Sequence, residues 1–420
     1  MNLRSDADGI IKEALAEVLP DAAVKKALAG HTFAAGRIVL AAVGKAAWQM
    51  ARAAADVLGE RIDRGIVITK YDHAMGAIPR VSCMEAGHPV PDENSFAATR
   101  KVLALTENLA AEDTVLFLLS GGGSALFEQP LIPADELTDL TEQLLASGAD
   151  IVEINTLRKR MSAVKGGRFA EHCAPAQVFS IVLSDILGDP LDMIASGPAH
   201  PDASTAEDAH RIAAKYGLRL SPAAWALLDE PLPAVLPNVT TVITGSVRQL
   251  CAAAAAAAAR RGYTPILLTD QLNSEAREAG RFLAAIARTH AEGGSFAYIA
   301  GGETVVQVKG KGRGGRNQEL VLAAADGIAG LENAAVFSFG SDGTDGPTDA
   351  AGGYADGGTA AALARAGRSA AEALAENDAY PALRAVGGLI ITGPTGTNVN
   401  DVSVVLIRGN IKEGSAHGDV

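Results

Sequence analysis

The chain has 420 residues, which is enough for two or three domains and a sizeable core. Its formal net charge of −13 disfavours binding along a nucleic-acid backbone, because such binding requires a basic face. The three cysteines lack metal-type spacing, the N-terminus does not resemble a signal peptide, and no run of about 18 uncharged apolar residues predicts a membrane span. We therefore expect a soluble, cytoplasmic protein that binds neither nucleic acid nor membrane.

Short apolar runs alternate along the chain with glycine-rich or polar loops and helix-like stretches. This alternation predicts an α/β fold with a mostly parallel sheet. The predicted strands cover residues 37–43, 65–69, 114–119, 178–183, 240–244, 295–300, 334–339, 385–392 and 402–407. The eight alanines after Cys251 predict a helix. Three prolines within residues 231–237 predict a boundary, which divides the chain into domains 1–238 and 239–420.

The first loop with residue types suited to binding or catalysis follows the strand at 114–119. Backbone N–H groups at a glycine-rich turn that opens a helix form an anion cradle. The residues of this loop are Ser120, Gly121, Gly122, Gly123 and Ser124. Lys45 follows the strand at 37–43 and would strengthen such a site. A tight turn that only needs glycine, and a solvated surface lysine, are the alternatives.

Residues 155–167 predict a helix that ends at its glycines. Asn155, Arg158, Ser162 and Lys165 would share one face of it, because they are spaced by three or four residues. A face with two cations suits a carboxylate or phosphate ligand. A solvated face is the alternative.

A long acidic loop follows the strand at 178–183 and includes Asp185, Asp189 and Ser196. Its carboxylates could orient a substrate hydroxyl or hold Mg²⁺, or they could only stabilise turns. A second acidic turn contains Asp342 and Asp345 and suits a hard cation, although an Asp/Gly turn without a ligand is equally compatible.

The basic stretch at 309–317 is the most unusual one in an acidic chain. Its candidate phosphate-binding residues are Lys309, Lys311, Arg313, Arg316 and Asn317. A predicted helix at 318–328 follows, and fixed positive charge beside a helix N-terminus suits a polyphosphate. The stretch also matches Gly-x-Gly-x-x-Gly at 310, 312 and 315, but no acidic residue follows at the position that would hold a ribose. A mobile basic loop is the alternative.

No zinc-type cluster and no Gly-x-Ser-x-Gly motif is present in the sequence. Anion cradles, cations and Asp-rich turns remain. Phosphoryl transfer needs this combination, because it depends on positioning and electrostatics more than on covalent catalysis.

Six motifs together resemble the glycerate 2-kinase family, whose C-terminal half is called the MOFRL domain and some of whose members carry the older label hydroxypyruvate reductase. The motifs lie at residues 119–126, 155–167, 184–189 with 195–198, 301–304, 314–319 and 341–349. The resemblance implies ATP- and Mg²⁺-dependent phosphorylation of the 2-hydroxyl of D-glycerate. It also implies a Rossmann-like N-terminal domain, a second α/β domain and an active site in the cleft between them.

Within this resemblance, Lys45 matches the family's essential lysine and Arg316 its essential arginine. As a hypothesis, Arg316 stabilises charge on the transferred phosphoryl group, and Asp185 or Asp189 accepts the hydroxyl proton. Arg158 and Lys165 would hold a phosphate or the glycerate carboxylate, and Mg²⁺ would be held by Glu303, Asp342 or Asp345. An NAD(P)H-dependent hydroxypyruvate reductase and a non-catalytic phosphosugar-binding module are the alternative functions. The chain could also form a homodimer.

Overall fold

The computed structural model describes residues 2–409. Its strands are β1 (Ile38–Val43), β2 (Ile62–Lys70), β3 (Val81–Ala86), β4 (Thr114–Leu119), β5 (Gln177–Leu183), β6 (Val239–Gly245), β7 (Thr264–Leu272), β8 (Phe296–Gly302), β9 (Ala334–Gly340), β10 (Gly352–Asp356), β11 (Leu389–Ile390) and β12 (Asp401–Ile407).

Its helices are α1 (Leu3–Glu17), α2 (Pro20–Ala29), α3 (Ala47–Leu58), α4 (Glu93–Thr106), α5 (Gly123–Leu126), α6 (Ala134–Ala146), α7 (Ile151–Arg160), α8 (Arg168–His172), α9 (Ala206–Lys215), α10 (Pro222–Asp229), α11 (Val247–Arg260), α12 (Ala276–His290), α13 (Arg316–Ala325), α14 (Thr359–Arg365), α15 (Ala370–Ala375) and α16 (Ala379–Ala385). Short 3₁₀ turns lie at Gly59–Arg61 and Ile194–Ser196. Within residues 2–409, no helix combines the length and the apolar character needed to cross a bilayer.

The chain forms two compact units. Pro20–Gly245 forms one, which we call the parallel-sheet unit. The described residues of Met1–Leu19 and Ser246–Val420 form the other, the mixed-sheet unit.

In the parallel-sheet unit, six strands lie in the order β3-β2-β1-β4-β5-β6, and every neighbouring pair is parallel. This is the Rossmann strand order expected for the N-terminal domain. Both faces of the sheet are covered by helices. Alternate residues of β1 therefore enter opposite cores: Ile38 and Leu40 lie in one, and Val39 and Ala41 lie in the other.

The mixed-sheet unit differs from the mostly parallel sheet that the sequence pattern predicts. Its six strands lie in the order β11-β10-β9-β12-β8-β7, and only β7 and β8 are parallel. Strand β12 is antiparallel to both of its neighbours, β8 and β9. The long strand expected at 385–392 is reduced to the two residues of β11. Helix α16 continues to Ala385, and a turn through Gly387, which has a φ of +69°, follows it.

The expected domains 1–238 and 239–420 differ from the observed units at two places. Strand β6 pairs with β5 and therefore completes the parallel sheet. Helix α1 packs on the alanine-rich α11, in the mixed-sheet unit. Arg261 donates to Glu13 over 2.7 Å, and the Tyr263 hydroxyl donates to Asp6 over 2.8 Å. These contacts attach the first helix to residues that follow it by more than two hundred positions.

Candidate functional site

The glycine loop of the parallel-sheet unit, residues 120–124, lies where the strand order reverses. Strands β1 and β4 are neighbours, and the chain leaves them toward β2 on one side and β5 on the other. Ligands of such sheets bind at the carboxyl ends of the strands that flank this reversal. The segment after β1 joins the loop here: the backbone N–H of Lys45 donates to the carbonyl of Gly121 over 2.9 Å. The N–H of Ala46 donates to Ser120 Oγ over 3.1 Å.

Two glycines of this loop leave room for side chains that approach it. A Cβ on Gly121 would collide with a carboxylate oxygen of Asp185. Gly122 has a φ of +90°, in the left-handed region that favours glycine. A Cβ on Gly122 would lie 3.1 Å from Nε2 of His88 and 3.3 Å from Cε of Lys45. The structure thus places an acid, a lysine and a histidine around the loop.

Behind the loop, three predicted residues form a chain of hydrogen bonds. The hydroxyls of Ser124 and Ser196 are 3.2 Å apart, and Ser196 Oγ donates to Asn155 Oδ1 over 2.9 Å. Ser196 is buried with a φ of +61°, and Ala195 before it has a φ of +50°. Such strained backbone persists only where its surroundings fix it, and here it brings the hydroxyl to Ser124.

The predicted ligand face at 155–167 is wrong in its second half. Helix α7 ends at Arg160, so Ser162 and Lys165 lie beyond it. Lys165 has no exposed surface, and its ammonium donates to the carbonyls of Ser124 and Phe127 over 2.9 and 3.0 Å. It stabilises the end of α5 instead of facing a ligand.

The charge of Lys165 is balanced inside the unit. Glu128, also fully buried, places Oε2 3.3 Å from the ammonium. Burial lowers the pKa of Lys165 to about 8, Glu128 acts against this shift, and the nearby charge of Arg158 adds to it. Nη2 of Arg158 is 3.8 Å from Glu128, and its side chain keeps 16% of its surface exposed. Of the two predicted cations, only Arg158 is therefore open to a ligand.

Within residues 2–409, no hydrogen bond or ion pair connects the side chain of Ser162 or Asp189 to the glycine loop at residues 120–124. The carbonyl of Ser162 accepts from Arg168 over 2.9 Å, which is a structural role. Asp189 has a φ of +54°, and its Oδ1 is buried without a hydrogen-bond partner within residues 2–409.

In the mixed-sheet unit, Arg316 is the first residue of α13 and is held by two carboxylates. It donates to Asp401 through Nε over 2.5 Å and through Nη2 over 3.1 Å. Its Nη1 is 3.1 Å from Glu303. Burial alone would lower the pKa of the guanidinium, but Asp401 and Glu303 raise it overall, so Arg316 is permanently charged. About a third of its side chain (34%) remains exposed to a ligand.

Asp345 caps the same helix. Its carboxylate accepts the N–H groups of Asn317 and Gln318 over 3.1 and 2.9 Å, and also the side-chain amide of Asn317 over 3.3 Å. Burial raises the pKa of Asp345 to about 6, although the two N–H groups oppose this shift. Because both of its oxygens serve the helix, Asp345 is a poor metal ligand, contrary to the prediction.

The other predicted metal ligands are more open. Glu303 is exposed and accepts from the Asn400 amide over 3.2 Å. Oδ1 of Asp342 accepts the N–H of Thr344 over 2.9 Å. A Cβ on Gly340 would lie 3.3 Å from Asp342 and 3.2 Å from Asp401, so these two carboxylates lie at the end of β9. Across residues 2–409, no group of three His, Cys, Asp or Glu side chains is arranged to hold a metal ion without further ligands.

The glycines of the Gly-x-Gly-x-x-Gly match serve internal packing. Side chains on Gly310 and Gly312 would collide with the backbone of Glu376, and one on Gly315 would collide with Asp345. Residues 303–309 separate the match from β8, whereas a dinucleotide fingerprint follows its strand directly. The geometry therefore gives no support to a dinucleotide site.

The predicted cations in this stretch lie on the surface. Lys309, Lys311 and Arg313 are exposed. Nε of Arg313 donates to the Pro347 carbonyl over 3.1 Å, and its guanidinium lies 4.7 Å from the centre of the Tyr380 ring.

Sequence reasoning did not assign a role to three residues of these sites: His88, Glu128 and Asp401. Asp401 carried a usable signal, since it is the one charged residue of a strand that is otherwise apolar except for Ser403. Glu128 and His88 carried none, because the residues that they approach, Lys165 and Gly122, are distant in the sequence.

The profile of the MOFRL family matches residues 296–401, and the profile described as a domain of unknown function (DUF4147) matches residues 6–229. The chain is 51% identical over 413 residues to D-glycerate 2-kinase of Thermotoga maritima, covering 97% of this chain and 99% of that protein. It is 41% identical to glycerate 2-kinase of Pyrococcus horikoshii, covering 89% and 88% of the two chains.

Among solved structures, the crystal structure of glycerate kinase from Thermotoga maritima superposes with a TM-score of 0.93 at 50% identity. That match covers 96% of this chain and 99% of the other.

Proposed function

Because the chain belongs to the glycerate 2-kinase family, we propose that it transfers the terminal phosphoryl group of ATP to the 2-hydroxyl of D-glycerate, yielding 2-phosphoglycerate and ADP. The observation that carries the proposal is the glycine loop with Lys45. Within residues 2–409, the ammonium of Lys45 has no acidic partner, although it lies beside a cradle of backbone N–H groups. A partly buried cation without an acidic partner at such a cradle suits an anionic substrate.

Each residue has a role that follows from its surroundings. Lys45 and the loop bind anionic oxygens. Arg316, fixed by Asp401 and Glu303, balances the charge that develops on the transferred phosphoryl group. Asp185 accepts the hydroxyl proton beside Gly121, with Asp189 as the second candidate for this role.

We also propose that the nucleotide is used as its magnesium complex. A nucleotide-bound Mg²⁺ usually takes one or two protein carboxylates together with phosphate oxygens, so a complete protein cage is not required. Glu303 and Asp342 fit this need, whereas Asp345 does not. Bound there, the ion would neutralise phosphate charge. A cytoplasmic location and assembly as a homodimer belong to the same proposal.

Phosphorus NMR of the protein with ATP, Mg²⁺ and D-glycerate tests the reaction and its position together. We expect the resonance of 2-phosphoglycerate to grow with that of ADP. A 3-phosphoglycerate resonance would keep the kinase but contradict the position. No transfer, together with oxidation of NADH by hydroxypyruvate, would replace the proposal with a reductase. Nucleotide binding that does not depend on Mg²⁺, without transfer, would indicate a binding module.

The role of Arg316 is tested by Arg316→Ala and Arg316→Lys. We expect turnover to fall by about 10²–10³-fold in the alanine variant. The lysine variant keeps the charge that Asp401 requires but loses the two-pronged contact, so it should fold and still lose turnover. Arg281→Ala, which removes an exposed arginine of α12, is the control. Near-normal turnover of Arg316→Ala would remove Arg316 from this role.

A further inference from the structure

His88 lies against the glycine loop, and none of the roles above uses it. A Cβ on Gly122 would lie 3.0 Å from Cδ2 and 3.1 Å from Nε2 of His88, and 3.3 Å from Cε of Lys45. The imidazole edge and the lysine stem therefore border the same side of one glycine. Whatever binds to Lys45 beside Gly122 also meets the edge of the His88 ring.

The imidazole has no hydrogen-bond partner among the residues that the structure describes, although the side chain is partly buried. Lys45 shares both properties. The polar atoms of both side chains are accessible and are not among the buried atoms that lack a partner within residues 2–409. Two accessible donors that border one glycine, neither of them used within the protein, therefore suit a ligand that accepts from both.

The charge state of His88 follows from its neighbours. Burial lowers its pKa, and the charges of Lys45, Lys70 and His73, which face it, lower the pKa further. The ring is consequently neutral near pH 7 and carries one N–H donor and one acceptor nitrogen. An anionic oxygen bound beside the ammonium of Lys45 can accept a hydrogen bond from the donor nitrogen.

We propose that His88 is a further substrate-contacting residue, whose neutral imidazole donates a hydrogen bond from Nε2 to the anionic oxygen held by Lys45 and the glycine loop. The proposal rests on the proposed function for the identity of that oxygen, which belongs either to the glycerate carboxylate or to a phosphate of ATP. The two share the chemistry that His88 recognises, and the experiment separates them.

The test compares His88→Ala with His88→Gln, because the glutamine amide can place an N–H near the position of Nε2. The KM for glycerate and the KM for ATP are measured separately. We expect His88→Ala to raise one of them at least tenfold with a smaller change in kcat, and His88→Gln to stay within about threefold of the wild type. The KM that rises identifies the anion. His210→Ala, at an exposed histidine paired with Asp229, is the control.

Two results would overturn the proposal. One is unchanged constants in His88→Ala. The other is an equal loss of kcat in both variants, with unchanged KM values and without the acidic limb of the pH profile. That combination would make His88 a proton acceptor instead of a binding residue.

Calorimetric titration of the protein with ADP alone and with D-glycerate alone measures the binding affinity of each without turnover. Weaker binding of one of them to His88→Ala supports the contact even if no phosphoryl transfer occurs, and equal binding of both contradicts it. Failure of the proposed function is thereby distinguished from failure of the histidine contact.

Discussion

The buried pair of Glu128 and Lys165 makes a prediction about stability. Both side chains have no exposed surface, and their charged groups are 3.3 Å apart. Removing Glu128 leaves the buried charge of Lys165 without an acidic partner, and removing Lys165 leaves Glu128 only the more distant Arg158, at 3.8 Å. Removing both avoids these two losses. We therefore expect Glu128→Gln and Lys165→Met each to destabilise the protein strongly, and the double variant to be destabilised by less than the sum.

The size of the effect follows from the surroundings of the pair. Loss of one partner of a buried ion pair typically costs about 3–5 kcal/mol. The pKa of Lys165 is lowered from 10.5 to about 8, so burying its charge already costs roughly 3 kcal/mol at 1.36 kcal/mol per pKa unit, even with Glu128 present. We expect each single variant to lose about 3–5 kcal/mol, with a coupling energy of about 2–3 kcal/mol.

Urea unfolding followed by tryptophan fluorescence measures these free energies. Both tryptophans, Trp48 and Trp225, lie in the parallel-sheet unit, so the signal reports the unit that contains the pair. The matched control is the exposed pair Arg52–Asp56, whose charged groups are 3.0 Å apart. Its cycle of Arg52→Met and Asp56→Asn should give a coupling of about 0.3–0.5 kcal/mol.

Additive costs of the Glu128 and Lys165 variants, with a coupling energy no larger than in the surface cycle, would refute the reasoning.

The change of stability with pH tests the same pair independently, because the pKa of Lys165 determines its direction. Because the pKa of Lys165 is lower in the folded state, the unfolded chain binds more protons between about pH 8 and 10.5. The contribution of this group therefore makes stability rise with pH over that range, and the rise should be absent from Lys165→Met.

Two further predictions concern the loop and helix α13. Gly122→Ala should lower turnover at least tenfold, because its methyl group would meet His88 and Lys45. The control is Gly148→Ala: Gly148 has a φ of +72° but no atom within 4 Å of a Cβ, so this variant carries only the cost of the backbone conformation. Equal turnover of the two variants would contradict the steric argument. The pKa of Asp345 is raised to about 6, so its contribution to stability is complete below pH 4 and is lost as the pH rises through 6. In thermal unfolding, Asp345→Asn should lose less stability between pH 4 and 6 than the wild type does. The control is Asp326→Asn, which removes an exposed carboxylate at the other end of the helix and should behave like the wild type. An unchanged pH dependence in Asp345→Asn would disprove this assignment.

Local sequence pattern located the central strands of the parallel-sheet unit, but it gave no strand at Val81–Ala86, the partly exposed edge strand β3. Strand β4 coincides with its predicted range, and β1 and β5 differ from theirs by one residue at the first end. Buried strands of a parallel sheet are continuous apolar runs, so their limits are visible without knowledge of their neighbours. The loops that follow them were therefore found at the correct places, including the one at Lys45.

Pairing between distant segments was not accessible in this way. Nothing in residues 402–407 indicates that β12 lies antiparallel between β8 and β9, because register and direction are set by the partners. The spacing of Lys165 from Arg158 and Ser162 predicts a ligand-facing lysine, but its partner inside the protein is Glu128, 37 positions earlier in the sequence. The fixation of Arg316 by Asp401 depends on the same non-local pairing.

Helix α1 has a consequence for synthesis of the chain. Its apolar residues Ile10, Ile11 and Leu15 are buried in the mixed-sheet unit, yet α11, on which the helix packs, ends roughly 240 residues later. At about 5–20 residues per second, the ribosome needs roughly 12–50 seconds to make that partner. The whole parallel-sheet unit emerges in this interval and can fold as one continuous segment. The first helix made is thus among the last to be packed, and its apolar face needs protection from aggregation while it waits.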